Sequence, residues 1–248
     1  MACSEEAISQ GRPSYVWRFG QDRRFALIRR HAPLDQAAVL DIGCGVGMYL
    51  RAFALHSHRV YGIDLNREHL AAAHEYSPNL AQARAESLPF RDGSFDVVLL
   101  HEVIEHVDDD AATTTEALRV TRPGGRVVVF APNRLYPFET HGFYLGKRYV
   151  FKLAPLVNYL PGRLRRVFVP HVRAYLARDI RRLLPRGGCQ IVAHSVIFPG
   201  YDRIAARHRL VARLLRGATY FMEHTPLRVF GLSHFVVIEK TREKAEEA

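Results

Sequence analysis

Val39-Leu40-Asp41-Ile42-Gly43-Cys44-Gly45-Val46-Gly47 joins a short apolar run to an acidic residue and three glycines at alternate positions. The run reads as a buried strand and the glycines as the tight turn that leads into a helix. Glycine takes positive φ without a Cβ clash and lets the backbone come close to a ligand. The spacing separates two cofactor classes. A dinucleotide-binding loop of the form G-x-G-x-x-G would place its third glycine where this chain has Met48. Here the third glycine is Gly47, and the carboxylate of Asp41 sits just before the turn. A glycine-rich turn also occurs as plain loop chemistry, so the neighbouring segments have to decide.

Working outward, strand-like and helix-like segments alternate. Strands are expected at Val39–Ile42, Arg59–Asp64, Ala81–Arg84, Phe95–Leu100 and Arg126–Ala131. Helices are expected at Met48–His56, Arg67–Tyr76 and Asp109–Thr121, with a turn at Pro123-Gly124-Gly125 before the last of these strands. Near-continuous apolar strands separated by helices point to a parallel sheet covered on both faces. The expected fold is α/β: a Rossmann-like, doubly wound, mostly parallel seven-stranded sheet with a lid or insertion after strand five. Asp64 ends the second strand, 21 residues after Gly43. A carboxylate there is placed to accept hydrogen bonds from both ribose hydroxyls of an adenosine; the competing reading is a cap for the next helix.

Three further runs follow in order. They are Leu88-Pro89-Phe90 with Phe95-Asp96-Val97-Val98, then Glu102-Val103-Ile104-Glu105-His106-Val107, then Arg122-Pro123-Gly124-Gly125-Arg126-Val127. Together with the D-x-G-x-G-x-G loop they resemble class I S-adenosylmethionine-dependent methyltransferases of the methyltransferase-11-like family, which includes ubiquinone-biosynthesis-type enzymes. The resemblance covers residues 39 to 131. It implies S-adenosyl-L-methionine as cofactor, with Asp41, Gly43 and Gly45 against its methionine and ribose moieties and Gly47 in the same loop. It also implies Asp64 on the ribose, Leu65 packed on the adenine, Ala85 and Glu86 at the adenine edge, and His101 near the methionine portion. One position departs from the pattern. Many relatives carry Asp where this chain has Arg84, which offers no acceptor, so Glu86, a backbone carbonyl or packing must hold the adenine instead.

Beyond Pro132 the rhythm breaks. The segment near 133–174 is rich in aromatics, proline and arginine. It opens with Ala131-Pro132-Asn133-Arg134-Leu135-Tyr136-Pro137-Phe138-Glu139-Thr140-His141-Gly142, directly after the fifth strand, where open α/β sheets place substrates. Glu139 and His141 are candidates to orient and deprotonate a hydroxyl, with His141 ahead because imidazole titrates near the working pH. The bland alternative is a polar turn that ties the lid to the sheet. His106 is a further catalytic candidate against a reading as a packed turn residue, and Tyr144 is a weaker one. Tyr15 and Arg18, before the first helix, are candidates for the methionine carboxylate. Later elements are expected at Leu176–Leu184 (helix), Cys189–Phe198 (strand), Arg203–Arg216 (helix) and Leu232–Lys240 (strand).

The 248 residues suit a single domain. Its expected parts are an N-terminal helical cap (1–33), a cofactor-binding half (34–132), the lid (133–175) and C-terminal strands and helices (176–240). No apolar run approaches the ~20 residues of a membrane span, and the first thirty residues lack the apolar stretch of a signal peptide. Three cysteines (Cys3, Cys44, Cys189) stand far apart with no C-x-x-C pair. That argues against a disulfide framework or zinc site, and no metal is expected. These features are compatible with a reducing cytosol, and the expected location is cytoplasmic, with peripheral contact at the inner membrane surface as an extension of it.

Net charge is +10, but residues 143–217 hold sixteen Lys/Arg against only Asp179 and Asp202, a local +14. Such a region favours an anionic partner or is an Arg-rich solvated face. The expected acceptor is a small-molecule or lipid-like, anionic compound, methylated most simply on oxygen. RNA methylation through the basic half is the runner-up, and a non-catalytic cofactor-binding scaffold is the alternative outside enzymes. Other nucleic-acid subclasses rank lower: no N-P-P-Y-type loop follows the fourth strand, and no Pro-Cys pair occurs. Residues 143–169 mix Arg and Lys with Leu, Val, Phe and Tyr, as an interfacial segment would.

Overall fold

A computed structural model describes residues 17–241. Along the chain, α1 (Phe19–His31), β1 (Val39–Ile42), α2 (Met48–Ala54), β2 (Val60–Asp64), α3 (Arg67–Ala73), β3 (Asn79–Gln82), β4 (Phe95–His101), α4 (Asp110–Val120) and β5 (Thr121–Pro132) form the first half. The lid segment contains β6 (Phe138–Glu139), β7 (Phe143–Leu145), β8 (Arg148–Val150), β9 (Ala154–Pro155) and α5 (Gly162–Phe168). The chain then makes α6 (Ala177–Arg182), β10 (Cys189–Ile197), α7 (Asp202–Ala205), α8 (Arg209–Met222) and β11 (Ser233–Lys240).

The main sheet has seven strands in the order β10-β11-β5-β4-β1-β2-β3. β1 to β5 are parallel, and β11 and β10 add an antiparallel edge beyond β5. Successive strand residues face opposite sides, so each strand feeds two cores. Leu40, Ile42, Val98, Leu100, Val127 and Val129 pack under α4 and α6. Val39, Val97, Leu99, Val128, Phe130 and Phe235 pack under α1 and α2 on the other face. The doubly wound, mostly parallel sheet is the architecture expected from the motif order.

Local chemistry sets the element ends. Asn66 caps α3 by accepting the Glu68 and His69 amides (2.8 and 3.2 Å), and Asp109 caps α4 by accepting the Ala112 amide at 2.9 Å. β3 lies about two residues earlier than expected. Pro123-Gly124-Gly125 lies inside β5 rather than ahead of it, where the β4–β5 register shifts between Phe95 and Val97. The long helix expected over Arg203–Arg216 is two helices, divided by the non-helical cap residue His208. Gly62, in the middle of β2, packs so tightly that a Cβ would lie 2.9 Å from each of Cys44, Leu50 and Leu80. Gly62→Ala is therefore expected to destabilise the protein by about 1–3 kcal/mol, measured by denaturant unfolding.

Candidate active site

The glycine turn stands at the carboxyl end of β1, beside the tip of β2. Gly45 has φ of 52°, and a Cβ built there would meet no atom within 4 Å. The loop is thus open on the side where a ligand backbone would lie. Gly47, with φ of 83°, starts α2, and a Cβ there would come 3.0 Å from the Ala73 backbone. The Gly45 amide donates to Asp64 Oδ2 at 2.9 Å, and the Asn66 amide donates to Oδ1 at 2.8 Å. Each carboxylate oxygen keeps a lone pair for a ribose hydroxyl. Asp41 is 2 % exposed, and its pKa stands well above the ordinary carboxylate value, from burial first and from Asp64 second. A cationic or hydrogen-bond-donating ligand group beside it would relieve that penalty. Leu65, 59 % exposed, offers an unpaired apolar surface next to Asp64. An open glycine cradle, paired carboxylates and an apolar shelf fit the adenosine and amino-acid parts of S-adenosyl-L-methionine.

On the segment that the resemblance implies for the adenine, Ala85 is buried. Glu86 Oε1 accepts the Asp108 amide at 3.0 Å and faces Arg84 at 3.2 Å. Arg84 itself reaches Asp108 at 2.6 Å. One oxygen of Glu86 is thus spent on the turn before α4, which leaves Oε2 and the backbone of this segment for a ligand.

A cavity of about 300 Å³ opens beyond the ends of β4 and β5, walled by Arg24 of α1, His101, Glu102, Thr140, His141 and the Ile197–Gly200 turn. Arg24 Nη1 bonds His101 Nε2 at 2.8 Å and Glu102 Oε1 at 2.7 Å. Glu102 sits just past β4 with φ of 56°, a region that strains a residue carrying a Cβ. The bend brings Glu102 into the cavity wall, and Ser233 Oγ donates to its Oε1 at 3.1 Å. His101 also packs against Tyr49, ring centroids 4.6 Å apart. Burial first, and Arg24 second, push the His101 pKa down from 6.5 to about 3. The unfolded chain takes up this proton near pH 6.5 and the folded chain only near pH 3. Stability attached to His101 is therefore present above pH 6.5 and lost as the pH falls toward 3. His101→Gln should flatten the decline of Tm between pH 6.5 and 4.

The lid supplies the opposite wall. Glu139, 2 % exposed, accepts the Thr140 and His141 amides on Oε1, each at 2.9 Å, and meets His141 Nδ1 at 3.0 Å. Its Oε2 accepts Arg165 Nη2 at 2.7 Å. Burial pushes the Glu139 pKa up, but His141 and Arg165 outweigh it and hold the group at about 2. Arg165 is itself buried and also bonds Asn158 Oδ1 and the Val172 carbonyl. Glu139 is therefore a fixed anion under His141, and of the two it is His141 that lines the cavity.

His106 stands 5.7 Å from His141, ring to ring, and keeps an exposed edge. Together with Glu105 these two histidines bring one donor atom each to within 4.8 Å of one another, a cluster that no linear spacing of Cys and His announces. Tyr144 packs against Tyr149 and His171 (5.3 and 5.7 Å between ring centroids). Arg18 stands at the start of α1 and lines a second cavity with Asp202 and His208; Tyr15 lies outside the described residues.

The structure thus groups Asp41, Gly43, Gly45, Gly47, Asp64 and Leu65 at one end of the sheet and places His101 and His141 in the wall of the neighbouring cavity, whereas His106 packs beside His141 and is not part of that wall. Sequence reasoning missed Arg24, Glu102, Glu105 and Arg165. A readable signal existed for two of them, because Glu102-x-x-Glu105-His106 gathers three polar donors just past a buried strand. Arg24 and Arg165 are identified only by partners far away in the chain.

Residues 40–129 match the family model described as "Methyltransferase domain". A "Ubiquinone biosynthesis O-methyltransferase" from Aromatoleum aromaticum is 36% identical over 140 residues, which cover 53% of this chain and 59% of the relative. The matched region thus spans little more than half of that relative's length. A solved S-adenosylmethionine-dependent methyltransferase from Mesorhizobium loti aligns with TM-score 0.61 and 21% identity over 88% of this chain and 97% of that one. The solved [4+2]-cyclase SpnF aligns with TM-score 0.58 and 20% identity, covering 93% of this chain and 84% of the cyclase. At those identities the structural likenesses establish the fold, and the sequence matches assign residues 40–129 to the methyltransferase domain. Among the described residues no helix is long and apolar enough to cross a membrane. Residues 40–129 therefore form a methyltransferase domain of the class I, methyltransferase-11 type, whose cofactor is S-adenosyl-L-methionine.

Proposed function

We propose that this chain methylates a hydroxyl of a small, lipid-like, anionic acceptor. The observation that carries the reading is His141, held by a buried carboxylate and facing a cavity at the carboxyl ends of β4 and β5. Bound in the glycine cradle, S-adenosyl-L-methionine would supply an electrophilic methyl group on a sulfonium that leaves as a neutral thioether. Asp64 and the Gly43–Gly47 turn would fix the cofactor's position, and Asp41 would face its amino-acid end. With His141 Nδ1 committed to Glu139, Nε2 is left to accept a hydrogen bond from the acceptor hydroxyl and draw its proton away as the new O–C bond forms. Arg24 would hold His101 and Glu102 in place along the cavity wall. Alignment then accounts for most of the acceleration.

Three observations support a lipid-like acceptor met at a membrane surface. The relative from Aromatoleum aromaticum is named for ubiquinone biosynthesis. The lid and α8 expose Leu153, Leu156, Val167, Leu210, Leu214 and Phe221. Arginines are interleaved with these residues, a pattern suited to an anionic interface. The same basic residues could follow an RNA backbone, so the test must separate the pools. Methyl-labelled S-adenosylmethionine is incubated with the protein and fractionated cell extract. Base-stable label in the lipid or small-molecule pool is expected. Label confined to RNA or protein would overturn the acceptor class, and no labelling of any pool would favour a non-catalytic role.

A further inference from the structure

A second cavity, of about 850 Å³, lies beside the acceptor cavity and shares Asp202 with it as part of the wall. The rest of its charged lining is basic: Arg18 at the start of α1, Arg203 on α7, and Arg207 and His208 at the break between α7 and α8. The local backbone gathers these side chains. The Ala206 and His208 amides donate to the Asp202 and Ile204 carbonyls (3.0 and 2.7 Å), so the helical turn of α7 runs on to His208. Arg203 and Arg207, four residues apart, therefore share one face of that turn. Like charges at this spacing repel each other and cost stability unless an anion answers them.

No carboxylate answers them from within. Among the described residues, Arg18, Arg203 and Arg207 form no ion pair within 4.0 Å. Asp202, the acid in the wall, is already committed: its Oδ1 faces Arg216 Nη2 at 3.3 Å, and its Oδ2 accepts the Gly20 amide at 3.1 Å. Arg203 lies over the Phe151 ring of the lid, 5.9 Å from the centroid, a contact that uses none of its N–H donors. Three guanidiniums around one cavity exceed what a carboxylate, with two oxygens and a single charge, calls for. A terminal phosphoryl group carries about −1.5 to −2 charges near neutral pH and three acceptor oxygens. Guanidinium forks match those oxygens two at a time, and His208 adds an imidazole donor.

We propose that Arg18, Arg203, Arg207 and His208 bind a terminal phosphoryl group carried by the methyl acceptor. The link to the acceptor rests on the methyl-transfer reading, whereas the anion site does not. An acceptor anchored by its phosphate beyond Asp202 would lie with its other end in the cavity that His141 lines. Fastening the molecule at both ends would set the approach of its hydroxyl to the methyl carbon. Analogues without the phosphate would leave the arginines unanswered and be rejected on that account. The phosphoryl group itself is unchanged by the reaction.

The full chain is titrated with inorganic pyrophosphate in a calorimeter, and one saturable site is expected. Arg203→Gln and Arg207→Gln should each weaken binding by about tenfold or more, the worth of a charge-assisted contact. Arg178→Gln, at an exposed arginine of α6 outside the cavity, should bind as the parent does. The replaced side chains are exposed, so these variants keep the fold. No saturable binding by the parent would overturn the site, as would parental affinity in the Arg203→Gln/Arg207→Gln double variant or an equal loss in Arg178→Gln. An RNA oligonucleotide bound more tightly than pyrophosphate through the same arginines would overturn the assignment in favour of a polynucleotide. Vesicles of phosphatidylcholine with phosphatidic acid that retain the parent and not the double variant place the phosphate on a lipid; equal retention of both proteins, or of neither, places it on a soluble acceptor. Phosphatase treatment of the lipid and small-molecule pools should abolish their methyl labelling. Label that survives the treatment would overturn the phosphorylated acceptor and leave methyl transfer standing. Label missing from the untreated pools as well would instead fail the methyl-transfer reading, and the calorimetry would then judge the anion site alone.

Discussion

Replacing His141 by Ala is expected to lower the turnover number by about 10²- to 10⁴-fold, the usual worth of a positioned proton acceptor, while leaving cofactor affinity unchanged. His141 lines the acceptor cavity, and its ring is locked by Glu139 at 3.0 Å. The cofactor cradle around Gly45 and Asp64 is built from other elements, so the loss should fall on kcat and not on binding of S-adenosylmethionine. Single-turnover kinetics with saturating cofactor would read it directly. Glu139→Gln should show a smaller loss, since the ring would keep a hydrogen-bond partner but lose the anion beneath it. Full turnover by His141→Ala on the true acceptor would remove this residue from the reaction.

Arg165→Ala is expected to destabilise the protein by about 3–5 kcal/mol, because it strands the Glu139 carboxylate in the lid without its buried counter-ion. For a chain of this size that is a fall in Tm of roughly 6–20 °C. Arg165 bonds Glu139, Asn158 and the Val172 carbonyl, so its removal also leaves an amide oxygen and a backbone carbonyl unsatisfied. The double variant Glu139→Gln with Arg165→Met should recover part of the loss, and the size of that recovery measures the coupling of the pair. A change within about 0.5 kcal/mol for Arg165→Ala would show that the lid does not depend on this ion pair.

The cofactor half was legible because its signals are local. A buried run, three alternate glycines and a carboxylate at the tip of the next strand specify strand, turn and helix within 26 residues (39–64). The order of the later motifs then set the sheet. The boundaries that moved did so for local reasons too. β5 takes the Pro-Gly-Gly turn in as a register shift against β4, and His208, whose φ of −139° lies outside the helical region, divides the long C-terminal helix. The lid was opaque because it has no period. It is held by Asn158, Arg165 and Glu139, a polar group assembled from three separate short segments. Arg24 was illegible for the same kind of reason. A basic residue on a helix reads as solvated, and only the fold shows it half-buried against Glu102, 78 positions away.

In the proposed mode of binding, the Gly43–Gly47 turn and Asp64 hold S-adenosylmethionine. Calorimetric titration of S-adenosylmethionine into the parent protein and into Asp64→Ala tests it most directly. Saturable one-site binding by the parent, weakened about tenfold or more when Asp64 loses its charge-assisted hydrogen bonds to the ribose, is the predicted result. A parent that does not bind, or an Asp64→Ala variant that binds equally well, would contradict it.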